Sequence, residues 1–164
     1  NQLEGYFSHS RFWSLDKRMF ISSMVRGKFS IPKRPPYANN RAMGYYESFV
    51  RGNELYVVDG QTYILNRNEF KFKLLDKTSQ LESYVGDNQF STIPLQIYLK
   101  VFADLGWVND HSYGYVNPLL NDRVLSGAGL GIDFVTFYDA VFRVEYSYNQ
   151  LGEHGFFLHI GSSF

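Results

Sequence analysis

The chain has 164 residues, with 16 Lys and Arg against 16 Asp and Glu, 13 Tyr, 15 Phe, 14 Gly and no Cys. The balanced charge offers no field to draw nucleic acid or anionic headgroups. The lack of cysteine excludes disulfide frameworks, thiolate metal sites and cysteine nucleophiles.

No run nears the roughly 18 apolar residues of a membrane helix, and Asn1 to Tyr6 lacks a basic-then-apolar leader. Tyr and Phe favour pleated, half-buried surfaces. The chain is therefore expected to be one all-β domain, either soluble or crossing lipid as strands that show only alternate residues to the bilayer.

In chain order, a partial strand is expected before residue 8 and a full one over 17–31. In the latter, Met19, Ile21, Val25, Phe29 and Ile31 alternate with Arg18, Arg26 and Lys28. Pro32, Pro35, Pro36 and Gly52 then mark a long loop over 32–61, although Asp59-Gly60 could instead close a tight hairpin within it.

The next strand spans 62–75, with Phe70, Phe72 and Leu74 set against Glu69, Lys71 and Lys73; a long connection, Asp76 to Thr92, follows. Strand 93–105 sets Ile97, Leu99, Val101 and Ala103 against Tyr98, Lys100, Phe102 and Asp104. In strand 124–136, Ala128, Leu130, Ile132 and Phe134 oppose Gly127, Gly129, Gly131 and Asp133, and glycine within a strand marks close backbone approach.

Strands 139–149 and 155–164 form a hairpin across the short polar turn Asn149 to His154. The first sets Ala140, Phe142, Val144, Tyr146 and Tyr148 against Val141, Arg143, Glu145 and Ser147. The second carries Phe156, Leu158, Ile160 and the aromatic ending Phe164 on one face, with Phe157 and His159 on the other.

Charges avoid one face in every segment, and the segments match or slightly exceed the 9–11 residues that a tilted strand needs to cross a bilayer. A soluble antiparallel sheet would turn those charges to water, and a membrane barrel would hide them in its lumen. If the last strand ends on the periplasmic side, loops 32–61 and 106–123 lie outside and Thr136–Tyr138 is a short periplasmic turn. The long periplasmic stretch Asp76 to Thr92 runs against the usual asymmetry.

Val50-Arg51-Gly52 stands at the exit of the long loop, and Phe102-Ala103-Asp104-Leu105-Gly106 at the end of a later strand. This pairing resembles the BamA/TamA-like superfamily of outer-membrane barrel-assembly insertases. There, a long outer loop folds back into the lumen with a Val-Arg-Gly-aromatic motif, and a strand offers Phe-x-Asp-x-Gly inwards. The motifs fall in family order along essentially the whole chain. Two departures stand out: Asn53 stands where an aromatic residue usually follows, and of the family's terminal sorting signal only the alternation and Phe164 are similar; the stretch Tyr56 to Gln61 looks closest to Bacteroidota members.

The resemblance implies the carboxy-terminal strands of an antiparallel transmembrane barrel of about 16 strands in the bacterial outer membrane. It implies an Arg51–Asp104 lock of the loop onto the barrel wall, with Val50, Gly52, Phe102 and Gly106 around it. A lateral seam would run at the last strand, through Phe156, Leu158, Ile160 and Phe164. Its partners would be the remaining strands, from another segment or chain, outer-membrane lipid and client outer-membrane proteins, with no cofactor.

Asp133 and Glu145 are further lumen-facing carboxylates by parity. Arg26, Lys28, Lys71, Lys73 and Lys100 could draw an anion but are expected in any polar lumen. Tyr6, Phe7, Phe12, Trp13, Tyr146, Tyr148 and Phe164 could belong to interfacial girdles.

His9, His111, His154 and His159 show no metal-ligand spacing, there is no Gly-x-Ser-x-Gly, and no helix follows Gly127-x-Gly129. An enzyme is not expected. The alternative is a self-contained, lipocalin-like ligand-binding barrel, whose greasy face would point inwards.

Overall fold

A computed structural model describes residues 3–31, 36, 39–46, 48–80, 92–111, 119–136 and 140–162. Seven strands form one antiparallel sheet in the order β1-β2-β5-β6-β7-β8-β9. They are β1 (Leu3–Ser14), β2 (Met19–Ile31), β5 (Thr62–Gln80), β6 (Thr92–Asn109), β7 (Val124–Val135), β8 (Ala140–Asn149) and β9 (His154–Ser162). Two short strands of the long loop, β3 (Arg41–Met43) and β4 (Val58–Asp59), pair with each other.

The alternating patterns thus become strands close to their expected bounds, with three differences. The segment before residue 8 is a full strand, paired with β2 from Leu3↔Ile31 to Ser14↔Phe20. The expected connection Asp76 to Thr92 begins and ends in strand, because β5 and β6 stay paired out to Gln80↔Thr92; residues 81–91 lie outside the described residues. Val58–Asp59 pairs with the loop's own β3, and Gly60 donates its N–H to Asn40 O (2.7 Å), so Asp59-Gly60 is no hairpin tip.

Among the described residues the sheet is not closed: β1 and β9 are its two edges. It is nonetheless strongly curled. One cavity of about 530 Å³ is lined by residues from β1, β2, β5, β6, β7 and β8, including Phe12, Phe20, Lys71, Tyr98, Asp133 and Arg143. Six adjacent strands laid flat would span roughly 24 Å at about 4.8 Å each, so they share a cavity only by wrapping around it.

The two faces are inverted relative to a water-soluble sheet. On the outer face Val101 is 44% exposed and Leu130 57%, whereas on the inner face Lys100 and Asp133 are each 1% exposed and Glu145 2%. Antiparallel sheets in water bury the apolar face and solvate the charged one. The greasy face that a lipocalin-like barrel would turn inwards points outwards here.

Tyr6 and Phe12, expected in an outward aromatic girdle, lie on the inner face, because the register sets them opposite Lys28 and Ser22. Phe12 lines the cavity, and Tyr6 donates its hydroxyl proton to Glu4 Oε2 at 2.8 Å.

Apolar packing concentrates at one end of the inner face. Ala42, Met43, Val50 and Val58 of the loop meet Tyr63, Leu65, Val108, Leu120 and Leu125 in a buried cluster. Beside it Gln61 Nε2 donates to Asp110 Oδ1 (2.7 Å) and Asn40 Oδ1 (2.9 Å), which satisfies buried polar groups where the loop returns to the sheet. The long loop therefore folds onto the inner face and carries Arg51 against the wall.

Candidate functional site

Inner-face parity puts Phe102, Asp104 and Gly106 of β6 in one row, and the loop brings Val50, Arg51 and Gly52 onto it. Arg51 Nε donates to Asp104 Oδ2 and Nη2 to Asp104 Oδ1, both at 2.7 Å, while the Arg51 backbone N–H reaches Oδ2 at 3.1 Å. This is a bidentate, charge-assisted fork with a third donor, the geometry in which a guanidinium outperforms an ammonium. Phe102 lies beneath it, its ring centroid 4.0 Å from Arg51 Cζ.

The remaining guanidinium hydrogens are also occupied. Nη1 donates to Glu69 Oε2 at 2.9 Å and lies 3.6 Å from Glu145 Oε1. Burial alone would lower the pKa of the Arg51 guanidinium, but the hydrogen bonds and charge of Asp104, with the charges of Glu69 and Glu145, carry it above its ordinary value. Arg51 is a fixed cation at any working pH.

The glycines make room for this docking. Gly52 has φ +90°, a conformation open to glycine but strained for other residues. A Cβ on Gly106 would meet Val50 Cγ2 at 2.7 Å, so the third position of the Phe-x-Asp-x-Gly row must be small for Val50 to seat.

On the neighbouring strand Gly127, Gly129 and Gly131 stand opposite Asp104, Phe102 and Lys100. A Cβ at these positions would meet Arg51 O at 1.7 Å, Tyr146 O at 2.2 Å and Lys100 Cε at 2.8 Å respectively. The glycine-rich strand is the floor on which Arg51 and its supporting charges lie.

Asn53, where the resemblance leads one to expect an aromatic residue, is buried by an amide pair. Its Nδ2 donates to Gln150 Oε1 (3.2 Å), and Gln150 Nε2 donates to Asn53 Oδ1 (3.1 Å). Four residues earlier, immediately before the motif, Phe49 supplies an aromatic face, with Arg67 Cζ 4.3 Å from its centroid and Arg67 Nε donating to Phe49 O at 3.0 Å.

Charge pairing extends from the lock across the wall. Lys100 Nζ lies 2.8 Å from Asp133 Oδ1 and 2.5 Å from Glu145 Oε1. Lys71 Nζ lies 2.9 Å from Asp133 Oδ2 and 3.2 Å from Glu69 Oε1. Two of the inner-face lysines that could have drawn an anion are thus matched to carboxylates of neighbouring strands.

Parity gave the face of Asp133 and Glu145 but not these partners, because cross-strand pairing depends on register. Glu54, Glu69 and the role of His159 were missed for the same reason. His159 Nε2 lies 2.7 Å from Glu54 Oε2 and Nδ1 3.2 Å from Glu145 Oε2, a convergence that histidine spacing in the sequence does not signal.

The last strand presents Phe156, Leu158 and Ile160 on the outer face of edge strand β9, exposed by 77%, 76% and 78%. Phe164, expected to end that row, lies outside the described residues. No protein-family model, curated protein or solved structure matches the chain.

Proposed function

We propose that this chain forms the last strands of a bacterial outer-membrane β-barrel of the BamA/TamA-like kind, which assembles or inserts other outer-membrane proteins without enzymatic chemistry. The observation that carries the reading is the inverted sheet with its locked loop. An apolar band is turned out where lipid would satisfy it, and the buried inner wall is gripped by Arg51 of a long loop at Asp104.

Both sheet edges support the remainder of the reading. β1 and β9 each present one row of backbone donors and acceptors unmatched within the sheet. In lipid such groups must be paired, so strands from another segment or chain complete a barrel of about 16 strands. The β9 edge is where a client strand would be templated by backbone hydrogen bonding, with Phe156, Leu158 and Ile160 towards lipid. The Arg51 lock holds the wall next to that seam in shape, and no fuel or cofactor is required.

The test is Arg51→Ala in the protein as expressed in its own outer membrane. The reading predicts loss of heat-resistant migration of the folded barrel and lower levels of folded client proteins. Unchanged migration together with unchanged client levels would sink it.

A further inference from the structure

The Arg51 lock leaves one partly buried contact unaccounted for: the last strand is tied to the loop at a second place. His159 projects from β9 to the inner face and stands between Glu54 of the loop (Nε2 to Oε2, 2.7 Å) and Glu145 of β8 (Nδ1 to Oε2, 3.2 Å). The Phe49 ring of the same loop lies stacked alongside, 6.1 Å between centroids and 29° between planes. Three residues of the loop's own stretch, Phe49, Arg51 and Glu54, thus face β8 and β9.

A neutral imidazole carries one N–H and one lone pair, and only the protonated ring offers a donor on both nitrogens. Here each nitrogen faces a different carboxylate, so a neutral ring would set a lone pair against one of them. One ligand atom from each of the three residues lies within 4.8 Å of the others, so a shared metal ion is the competing occupant, which a chelator would reveal. A carboxylate oxygen within 3.2 Å of each ring nitrogen is the environment of an imidazolium.

The surrounding charges are already matched. Glu145 Oε1 is held by Lys100 at 2.5 Å and approached by Arg51 at 3.6 Å. Arg143, directly across from His159 on β8, lies 3.8 Å from Asp133 of β7. Besides these contacts, β9 is held within the described residues by its backbone ladder to β8, from Ala140↔Ser162 to Tyr148↔His154, and by Tyr146 of β8, whose hydroxyl lies 3.0 Å from His154 Nδ1 and whose ring centroid lies 4.9 Å from that of Phe156.

We propose that His159 is a positioning residue, an imidazolium strap that ties edge strand β9 to the inward loop through Glu54 and to β8 through Glu145, and that loss of its proton frees the edge. That the freed edge is the one offered to a client strand rests on the insertase reading; the strap itself does not. Because the strap needs a protonated ring between two ionised carboxylates, it is lost once the ring gives up its proton. A permanent cation of suitable reach, arginine, holds it through that change.

The experiment is amide hydrogen exchange of residues 154–162 in the protein in its native lipid, corrected for the intrinsic rate, across pH 6 to 10. Wild type, His159→Gln, His159→Arg and Glu54→Gln are compared. Expected is a rise in corrected exchange of roughly tenfold with pH in wild type, already present at pH 6 in His159→Gln and Glu54→Gln, and absent in His159→Arg. A flat wild-type profile, a His159→Arg profile that rises like wild type, or a neutral-pH rise on adding a chelator would each overturn the strap.

Client insertion is scored in parallel on the same variants. Insertion indifferent to every variant while exchange behaves as expected would count against the insertase reading and leave the strap standing. Flat exchange overturns the strap whatever the clients do.

Discussion

The two ends of the inner face are built differently. At the loop end the wall is filled: Arg51, Asp104, Glu69, Lys100 and Glu145 are interlocked over a glycine floor, and Val50 and Met43 plug the space above Gly106. At the opposite end lies the 530 Å³ cavity, with Phe20 and Tyr98 edge to face at 6.0 Å and Lys71, Asp133 and Arg143 along one side. The same alternation of residues produces both ends. What separates them is the returning loop, which fills one end with buried charge that cannot lose a partner cheaply.

The largest effect that would break this contrast is Arg51→Ala. It leaves the Asp104 side chain fully buried, with Arg67 Nε 3.8 Å away as the nearest remaining cation. Removing one partner of a buried pair costs on the order of 3–5 kcal/mol, to be read from denaturant unfolding in lipid vesicles. The Arg51→Ala, Asp104→Ala double variant should lose much less than the sum of the two single changes.

Next in size is Gly127→Ala. Its methyl group would stand 1.7 Å from Arg51 O, so the loop must lift or β7 must bend. Overpacking of this kind costs about 1–3 kcal/mol, and the same unfolding assay reads it. A neutral result would mean that the loop does not rest on the glycine strand.

Phe20→Ala, at the open end, sharpens the comparison from the other side. It removes one edge-to-face pair and enlarges a space that is already open, so the loss should be about 1 kcal/mol or less. A loss as large as that of Arg51→Ala would erase the difference between the ends.

The smallest expected effect is a pH dependence at the loop rim. The Glu153 carboxyl accepts hydrogen bonds from Asn149 Nδ2 (2.9 Å) and the Tyr56 hydroxyl (2.7 Å), and these hold it below its ordinary value. A carboxyl lowered on folding contributes stability that is present above its unfolded value and lost as pH falls through the folded one. Acidification should therefore weaken the link between the loop and the 149–154 turn, and Glu153→Gln should remove that slope.

How much of this was legible in the sequence follows the same division. Strands with strict alternation, such as Leu130 and Ile132 against Gly131 and Asp133, could be read directly. β1 could be read only in part, because Ser8, His9 and Ser10 interrupt the apolar period. The far ends of β5 and β6 were invisible because Asp76, Lys77, Thr78, Ser79 and Gln80 carry no alternating signal, although β5 pairs with β6 through them.

At the site, the two ends of the Arg51–Asp104 contact were marked by motif. Glu69, Lys100 and Glu145 had a predictable face but no predictable partner, since a partner is fixed by register across strands. His159 met Glu54 only through the path of the loop, which no periodicity encodes. The amide pair of Asn53 with Gln150 likewise depended on where the loop lands.

The central claim is that the exposed apolar face meets lipid while the charged face is closed off behind the loop. The chain has no native cysteine, so single spin labels can be placed along β8 at Phe142, Val144 and Tyr146 on the outer face and at Arg143, Glu145 and Ser147 on the inner face, in the protein inserted in lipid. The account predicts a period of two, with the outer set accessible to oxygen dissolved in the bilayer and protected from a water-soluble relaxant, and the inner set shielded from oxygen. Equal access of the outer set to the water-soluble relaxant would contradict it.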